Sequence, residues 1–567
     1  MVDGARTSSG ATPHPLIFII GILRGRWFML FAAFLIMSMA GAAYIFAIYS
    51  SDIKSSLNYN QQSLNTLSFF KDLAANIGLI SGLINEIAPP WVVLGLGAVM
   101  NLSGFLMIYL AITHRIPTPK FWHMCLYMCI GSSSQAFANT GALVTAVKNF
   151  PESRGIVLGL LKGFVGLSGA IITQLYLAFY NHNSKSLVLL IAWLPAAFSF
   201  VFIHTIRIMK VVHQENETNI FYEFLYISLL LAGYLMAVIV IEKMITFTHA
   251  EYIICAIILI LILALPLISV VRGELSLEKQ KAKLNLTGES PPVVVLIKDE
   301  NKESMNTQNT SASTHIITMF KAPKIGDEYT IPQALISIDM MLLFFMTISG
   351  SGGTLTAIDN MGQIGESLGY PSNSTNTFVS LLSIWSYLGR VTSGFSSEML
   401  LSKYKIPRPL MFTLVLILAT IGHLLIAFGP PGSLYAAMII VGFCSGAQWS
   451  LLFTIISEVF GLKYYSTLYN LGAAASPLGS YVFNVKVAGF LYDREAAKQN
   501  AQLAGSLSKD LKCIGVQCFK LSFLIIAAST LLGVVASLVL VWRTRDFYGG
   551  DIYAKFRGEK EEEKVVM

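Results

Sequence analysis

The stretch Ser81-Gly82-Leu83-Ile84-Asn85-Glu86 recurs in the second half of the chain as Ser393-Gly394-Phe395-Ser396-Ser397-Glu398. Each copy ends the second apolar segment in a block of six such segments. Repeats in matching order are typical of membrane proteins built from two related bundles with a shared site at the repeat interface. The repeated stretch therefore predicts two related membrane halves around a common centre.

The composition of the chain is that of a membrane protein. Hydrophobic residues make up 54% of the 567 residues and charged residues only 13%, and the mean hydropathy is +0.64. A helix needs about 20 apolar residues to cross a bilayer. Runs of this kind predict an all-α, multi-pass fold of about fourteen spans, near residues 27–50, 67–86, 91–112, 121–146, 155–180, 186–206, 221–242, 250–271, 333–358, 373–397, 408–428, 433–459, 464–491 and 521–542.

The order of these spans predicts six segments of the chain. The polar stretch 272–332 has too little apolar surface to order itself and is predicted to be a flexible linker, in which Val293–Ile297 is either a short strand or a docking segment. The predicted segments are a cytoplasmic N-terminus at 1–26, a six-helix bundle at 27–206, two extra helices at 221–271, the cytoplasmic linker at 272–332, a second six-helix bundle at 333–542 and a cytoplasmic tail at 543–567.

The distribution of Lys and Arg predicts the orientation, because basic residues near span ends are retained in the cytoplasm. Arg24, Arg207, Lys403 and Arg543 all adjoin span ends on one side, which places both termini in the cytoplasm of a plasma membrane or an endomembrane such as the vacuole. The excess of basic residues at cytoplasmic span ends then accounts for most of the net charge of +7. We therefore expect no nucleic-acid partner.

Lys162 is the strongest functional candidate, because a charge inside a span is costly to bury. It lies close to a helical stripe of small residues formed by Gly155, Gly159, Gly163 and Gly166, which predicts close approach of another helix. Two interpretations remain open. The ammonium group either attracts an anion or exchanges protons, or it is a structural partner for a carbonyl or carboxylate group.

Other polar residues inside the predicted spans are weaker candidates. Asp339 is a possible proton relay, and the alternative is that it stabilises the first turns of its helix. The basic residues Lys71, Arg390 and Lys486 lie near span ends, where their side chains are predicted to reach water. Uncharged residues that could line a central cavity, or else satisfy a neighbouring backbone, are Tyr44, Tyr49, Gln135, Asn139, Thr354 and Gln448.

The repeated stretch also predicts a gate. If a two-fold axis along the membrane normal relates the halves, Glu86 would pair with Lys463 and Glu398 with Arg154. Two such pairs would hold the cytoplasmic side closed.

The cysteines and the missing motifs argue against a metalloprotein or an enzyme. Cys513 and Cys518 lie on the last predicted non-cytoplasmic loop, where they form either a disulfide or two free thiols. This pair has too few ligands for a zinc site, and we expect no metal or other cofactor. The sequence has no His-Glu-x-x-His, phosphate loop or Gly-x-Ser-x-Gly motif, so we predict that it is not an enzyme.

Several strings resemble the plant nodulin-like branch of the major facilitator superfamily. They are residues 41–50 (GAAYIFAIYS), 69–72 (FFKD), 149–155 (NFPESRG), 161–163 (LKG), 359–365 (DNMGQIG) and 513–519 (CIGVQCF). The resemblance implies the major facilitator fold and a multi-pass carrier, related to antiporters of small organic anions such as oxalate and monocarboxylates.

Together these observations predict a secondary active transporter of a small polar or anionic solute that works by alternating access, with a proton as the candidate coupling ion. The alternative is a membrane sensor or scaffold that keeps the carrier fold without transport, because fold alone does not establish function. The sequence gives no prediction of the oligomeric state.

Overall fold

The computed structural model describes residues 15–41, 45–59, 61–180, 184–209, 211–212, 214, 217–245, 247–287, 293–294, 323–370, 374–502 and 513–554. These residues are mostly helical. The helices before the predicted linker are α1 (Pro15–Arg24), α2 (Arg26–Met39), α3 (Phe46–Leu57), α4 (Gln61–Asn76), α5 (Leu79–Ile87), α6 (Pro90–Ile112), α7 (Phe121–Ala138), α8 (Thr145–Asn149), α9 (Arg154–Tyr180), α10 (Ser184–Val201), α11 (Glu217–Met244), α12 (His249–Ala264) and α13 (Pro266–Thr287).

The helices of the second half are α14 (Ile331–Ile336), α15 (Ile338–Asp359), α16 (Met361–Ser367), α17 (Ser374–Tyr404), α18 (Arg408–Phe428), α19 (Ser433–Val459), α20 (Tyr465–Ser480), α21 (Phe490–Gln502) and α22 (Gln517–Gly549). Wider π-helical turns follow α7 at Asn139–Val144 and α20 at Tyr481–Gly489.

Within the described ranges, nine helical stretches are long and apolar enough to cross a membrane by length and composition, if α4 with α5 (Thr66–Ile87) and α12 with α13 (His249–Glu278) each count as one stretch. The count of fourteen spans stays a prediction. The five remaining predicted spans fall on helices that are interrupted, shorter or more polar, at 27–50, 121–146, 186–206, 373–397 and 464–491.

Breaks in the first two predicted spans lie beside glycines that are tightly packed against another helix. The first span is two helices, α2 and α3, and a side chain at Gly41 would collide with Ser168 of α9. The second span is also two helices, α4 and α5, which are separated beside Gly78, where a Cβ atom would collide with Asn470.

Pro195 lies inside α10 and removes a backbone hydrogen bond to the carbonyl of Ile191. Asn101 of α6 compensates, because its amide group donates to the carbonyls of Ile191 at 2.8 Å and Ala192 at 2.9 Å. Such compensation is needed because the hydrocarbon core offers no water to a freed carbonyl.

The predicted linker is more structured at both ends than we expected. Helix α13 continues to Thr287, beyond the predicted end of the extra helices at 271. Two short strands, β1 (Val211–Val212) and β2 (Val293–Val294), pair antiparallel, so the start of the Val293–Ile297 run is a strand that docks on the first half.

The other end of the linker docks on the second half. The backbone amide of Gly326 donates to the carbonyl of Val459 at 2.9 Å, and that of Tyr329 donates to Phe460 at 3.1 Å. The linker is therefore attached to both halves.

Candidate functional site

The two halves meet backbone to backbone near the repeated stretch. In one seam, a Cβ atom at Gly82 of α5 would lie 2.8 Å from the carbonyl oxygen of Ser466 in α20. In the other seam, a Cβ atom at Gly159 of α9 would lie 3.0 Å from the Cα atom of Gly394 in α17. The predicted small-residue stripe of α9 therefore faces the second half. We call the end of the molecule that holds Glu86 and Glu398 the gate side.

Lys162 lies next to the second seam and reaches into the other half. Its buried ammonium group donates to Oδ1 of Asn139 at 3.3 Å. The same nitrogen lies 4.9 Å from the ring centre of Phe453, 5.1 Å from Tyr469 and 5.7 Å from Trp449. Aromatic faces attract cations at these distances, so three rings of the second half hold a cation of the first half.

Arg390 of α17 is a site residue that sequence reasoning misplaced. Its side chain does not reach water at a span end, because the residue is only 5% exposed. Its Nη1 atom donates to the backbone carbonyl of Lys162 at 2.9 Å, and its Nε atom has no hydrogen-bond partner among the described residues. Its position inside a span was the available signal, but its depth was misjudged.

A cavity between the halves contains both cations. Among the residues that the structure describes, no carboxylate lines this cavity and none forms an ion pair with Lys162 or Arg390. Gln135 and Asn139 line this cavity, whereas Asn76, Trp449, Tyr469 and Asn470 are polar or aromatic lining residues that the sequence did not single out.

Asn139 begins the π-helical turn after α7. Its Nδ2 atom donates to the carbonyl of Gln135 at 2.8 Å, which leaves Oδ1 to accept from Lys162. Wide turns of this kind are often found at functional sites, and here the turn aims an amide oxygen at the buried ammonium group.

The other predicted cavity residues lie elsewhere. Tyr49 is fully buried in the first half, and its hydroxyl group has no partner among the described residues. Thr354 donates to the carbonyl of Ser351, whose hydroxyl group donates to Gln448 at 3.0 Å, so these residues form a polar cluster inside the second half. Tyr44 lies outside the described residues.

Asp339 lies in the first turn of α15 and not deep in a span, because the chain breaks between α14 and α15 just before it. Its carboxylate group accepts from Nη2 of Arg543 at 3.2 Å and is almost fully buried. Arg543 is thus the ion-pair partner of Asp339, and a role of Asp339 as a proton relay stays a prediction.

The first predicted gate pair has different partners from those expected. Glu86 reaches the start of α20, but it accepts from the backbone amide of Thr467 at 3.2 Å and lies 3.9 Å from the ammonium group of Lys148. The backbone amide of Lys463 donates instead to Glu328 of the linker at 2.7 Å. The N-terminus of α20 attracts the carboxylate group of Glu86, because the first turn of a helix carries a partial positive charge.

The second predicted gate pair is replaced by a larger cluster. Glu398 pairs with Arg408 at 2.7 Å, and Arg408 also pairs with Glu458 at 2.8 Å. Arg154 of the first half donates to the carbonyl of Ser457 at 2.6 Å, and its guanidinium group lies 5.4 Å from the ring centre of Tyr553. The gate contact therefore joins Arg154 to a backbone carbonyl and a ring.

Part of the predicted C-terminal tail completes this cluster. Tyr548 and Tyr553 donate to the carboxylate group of Glu458 at 2.9 and 3.0 Å. Burial raises the pKa of the Tyr553 phenol well above its ordinary value, so the hydroxyl group stays protonated and can donate. Residues 543–554 are thus packed against the second half.

A disulfide joins Cys513 and Cys518 on the side opposite the gate. The side chain of Gln499 in α21 bonds both the amide and the carbonyl of Ile514 at 2.9 Å. The bridged loop is therefore fixed to α21.

These features define a helical membrane protein with the major facilitator fold. A crystal structure of a double-tryptophan mutant of XylE has the same fold, with a TM-score of 0.55 and 13% identity over 91% of this chain and 95% of that chain. Residues 26–271 match the family model described as Nodulin-like, and residues 324–550 match the model of the NFD4 C-terminal domain. The chain belongs to the nodulin-like family.

Two relatives show how far the similarity extends. Protein NUCLEAR FUSION DEFECTIVE 4 of Arabidopsis thaliana is 26% identical over 552 residues, which are 94% of this chain and 91% of that protein. The probable transporter MCH1 of Wickerhamomyces anomalus is 21% identical over 459 residues, which are 80% of this chain and 77% of that protein.

Proposed function

We propose that this protein is a secondary active transporter of a small anionic solute that works by alternating access. The observation that carries the proposal is the pair of buried cations, Lys162 and Arg390, in one cavity whose described lining residues include no carboxylate. Uncompensated buried charge is costly, so an anion between the two side chains would relieve that cost.

Alternating access is supported by where the cations lie. Lys162 belongs to the first half and Arg390 to the second, and each contacts the opposite half. An anion that binds both would therefore respond to movement of one half against the other. The seams at Gly82 and Gly159 close the cavity on the gate side, which we predict to be cytoplasmic.

The relatives agree with a transport function. MCH1 is described as a probable transporter, and the resemblance to carriers of oxalate and monocarboxylates suggests probes of the right size and charge. These similarities do not identify the solute, so the proposal that it is an anion depends on the two buried cations.

Uptake into vesicles that contain the purified full-length protein tests the proposal. We expect uptake of labelled oxalate or a monocarboxylate, no uptake of the uncharged diamide oxamide, and a change in rate under an imposed proton gradient if a proton is coupled. Lys162→Gln and Arg390→Gln should each reduce uptake at least about tenfold, because a hydrogen bond to a charged group contributes about 1.5–3 kcal/mol.

Lys498→Gln is the matched control, because Lys498 is an exposed lysine in α21 with a surface partner, Glu495. It should leave uptake unchanged. Absence of anion uptake by a folded wild-type protein would favour the sensor or scaffold, and normal uptake by both cavity variants would exclude the proposed anion site.

A further inference from the structure

The extra helix α11 lies against both halves of the molecule. It packs on α9 of the first half and on α17 of the second, which are the two helices of the seam beside Lys162. An inserted helix with neighbours in only one half would move with that half and would not affect the opening of the seam. Helix α11 instead contacts both sides of it.

The attachment of α11 to the first half is extensive. Glu217 at its start pairs with Arg26 at 2.8 Å and accepts from the hydroxyl group of Ser153 at 2.7 Å. One turn later, the ring of Phe221 lies 5.3 Å from Trp27, and both residues are fully buried. We therefore treat α11 as part of the first half during any movement of the halves.

The attachment of α11 to the second half is small and specific. Tyr387 of α17 donates to the hydroxyl group of Ser228 at 2.7 Å, and both residues are fully buried. Nearer the gate side, the rings of Tyr222 and Phe395 lie 5.5 Å apart. The ring of Tyr387 also faces Gly163, where a Cβ atom would lie 3.2 Å from it.

We propose that α11 is a brace that favours the conformation closed on the gate side. When α9 and α17 separate, Tyr387 must leave Ser228, and the two buried hydroxyl groups lose their mutual hydrogen bond. This inference depends on the proposed alternating access, but not on the identity of the solute. Interhelical hydrogen bonds in membranes are modest, so losing this one should increase the open population about threefold.

Distances between spin labels test the brace in the full-length protein in lipid nanodiscs. Labels at Glu152→Cys before α9 and Lys403→Cys at the end of α17 report the separation of the seam on the gate side. The disulfide is kept, and the free cysteines are replaced by alanine at Cys125, Cys129, Cys255 and Cys444. The test variants are Tyr387→Phe, which keeps the ring, and Ser228→Ala.

Ser537→Ala is the matched control. Its hydroxyl group bonds Thr413 at 2.7 Å and is buried, but both residues lie in the second half. We expect each test variant to increase the fraction of long distances about threefold, the double variant to add nothing further, and the control to match the wild type. A wild-type distance distribution in Tyr387→Phe, additive effects, or an equal effect of the control would overturn the brace.

Uptake assays separate this proposal from the proposed function. An increased open fraction in a protein that takes up no anion would support the brace and the movement of the halves, and it would overturn the proposed anion transport. Unchanged distances in variants of a protein that does take up anions would do the reverse.

Discussion

At the scale of single residues, Arg408 is the centre of the gate-side cluster. It is fully buried between Glu398 and Glu458, and its Nη1 atom donates to Ser397 at 2.6 Å. Removing it would leave two buried carboxylates without the arginine that pairs with both of them. The cluster is therefore far more sensitive to loss of its arginine than an exposed ion pair would be.

We expect Arg408→Leu to lower the free energy of unfolding by about 3–5 kcal/mol, measured by thermal or denaturant unfolding in detergent, because a broken buried ion pair leaves uncompensated charge. Adding Glu398→Gln and Glu458→Gln should recover part of this loss. Arg545→Leu is the control, because Arg545 is exposed beside Asp546 and should change stability by less than about 1 kcal/mol. A mild effect of Arg408→Leu would contradict the charged description of the cluster.

At the scale of helices, the seam between α9 and α17 depends on glycine. A Cβ atom at Gly159 would lie 2.8 Å from the carbonyl oxygen of Arg390, which is backbone and cannot turn aside. By contrast, a Cβ atom at Gly233 of α11 would meet nothing within 4 Å. Comparing alanine substitutions at the two glycines therefore separates the effect of close packing in the seam from the effect of helix propensity.

We expect Gly159→Ala to destabilise the protein by about 1–3 kcal/mol through overpacking and to reduce anion uptake by forcing the seam apart. Gly233→Ala should be neutral or stabilising by up to about 1 kcal/mol, since alanine is the better helix former. Thermal unfolding and uptake rates of both variants check this prediction. If the two substitutions behaved alike, the seam would not need a glycine at 159.

Periodicity predicted which face of α9 meets the other half, because small residues recur on one side of the helix. It could not predict the depth of Arg390. The predicted span ended at 397, roughly two turns after Arg390, whereas α17 continues to Tyr404, roughly four turns after it. A hydropathy pattern marks where apolar residues stop, and a helix can continue past that point into polar surroundings.

At the scale of the whole molecule, the repeat predicted two halves but not their charged partners. Local sequence places Glu86 and Glu398 at equivalent positions, yet Glu86 meets a helix N-terminus and Glu398 meets Arg408. Tertiary packing determines which group lies beside a buried charge. Two related halves can therefore place different partners beside equivalent residues. The aromatic rings around Lys162 gave no sequence signal, because aromatic residues are 11% of this chain.

The whole molecule should also stay together without a continuous linker. Both ends of the linker are docked, at Val293–Val294 and at Gly326, but the halves touch directly along two seams at Gly82 and Gly159. We expect a protease site inserted between Asn306 and Thr307 to be cut without separating the halves in detergent, as measured by co-purification through a tag on one half. Close packing of small residues drives association of membrane helices, so Gly159→Leu in the cut protein should increase separation. Complete dissociation of the cut wild-type protein would show that the linker, and not the seams, holds the two halves together.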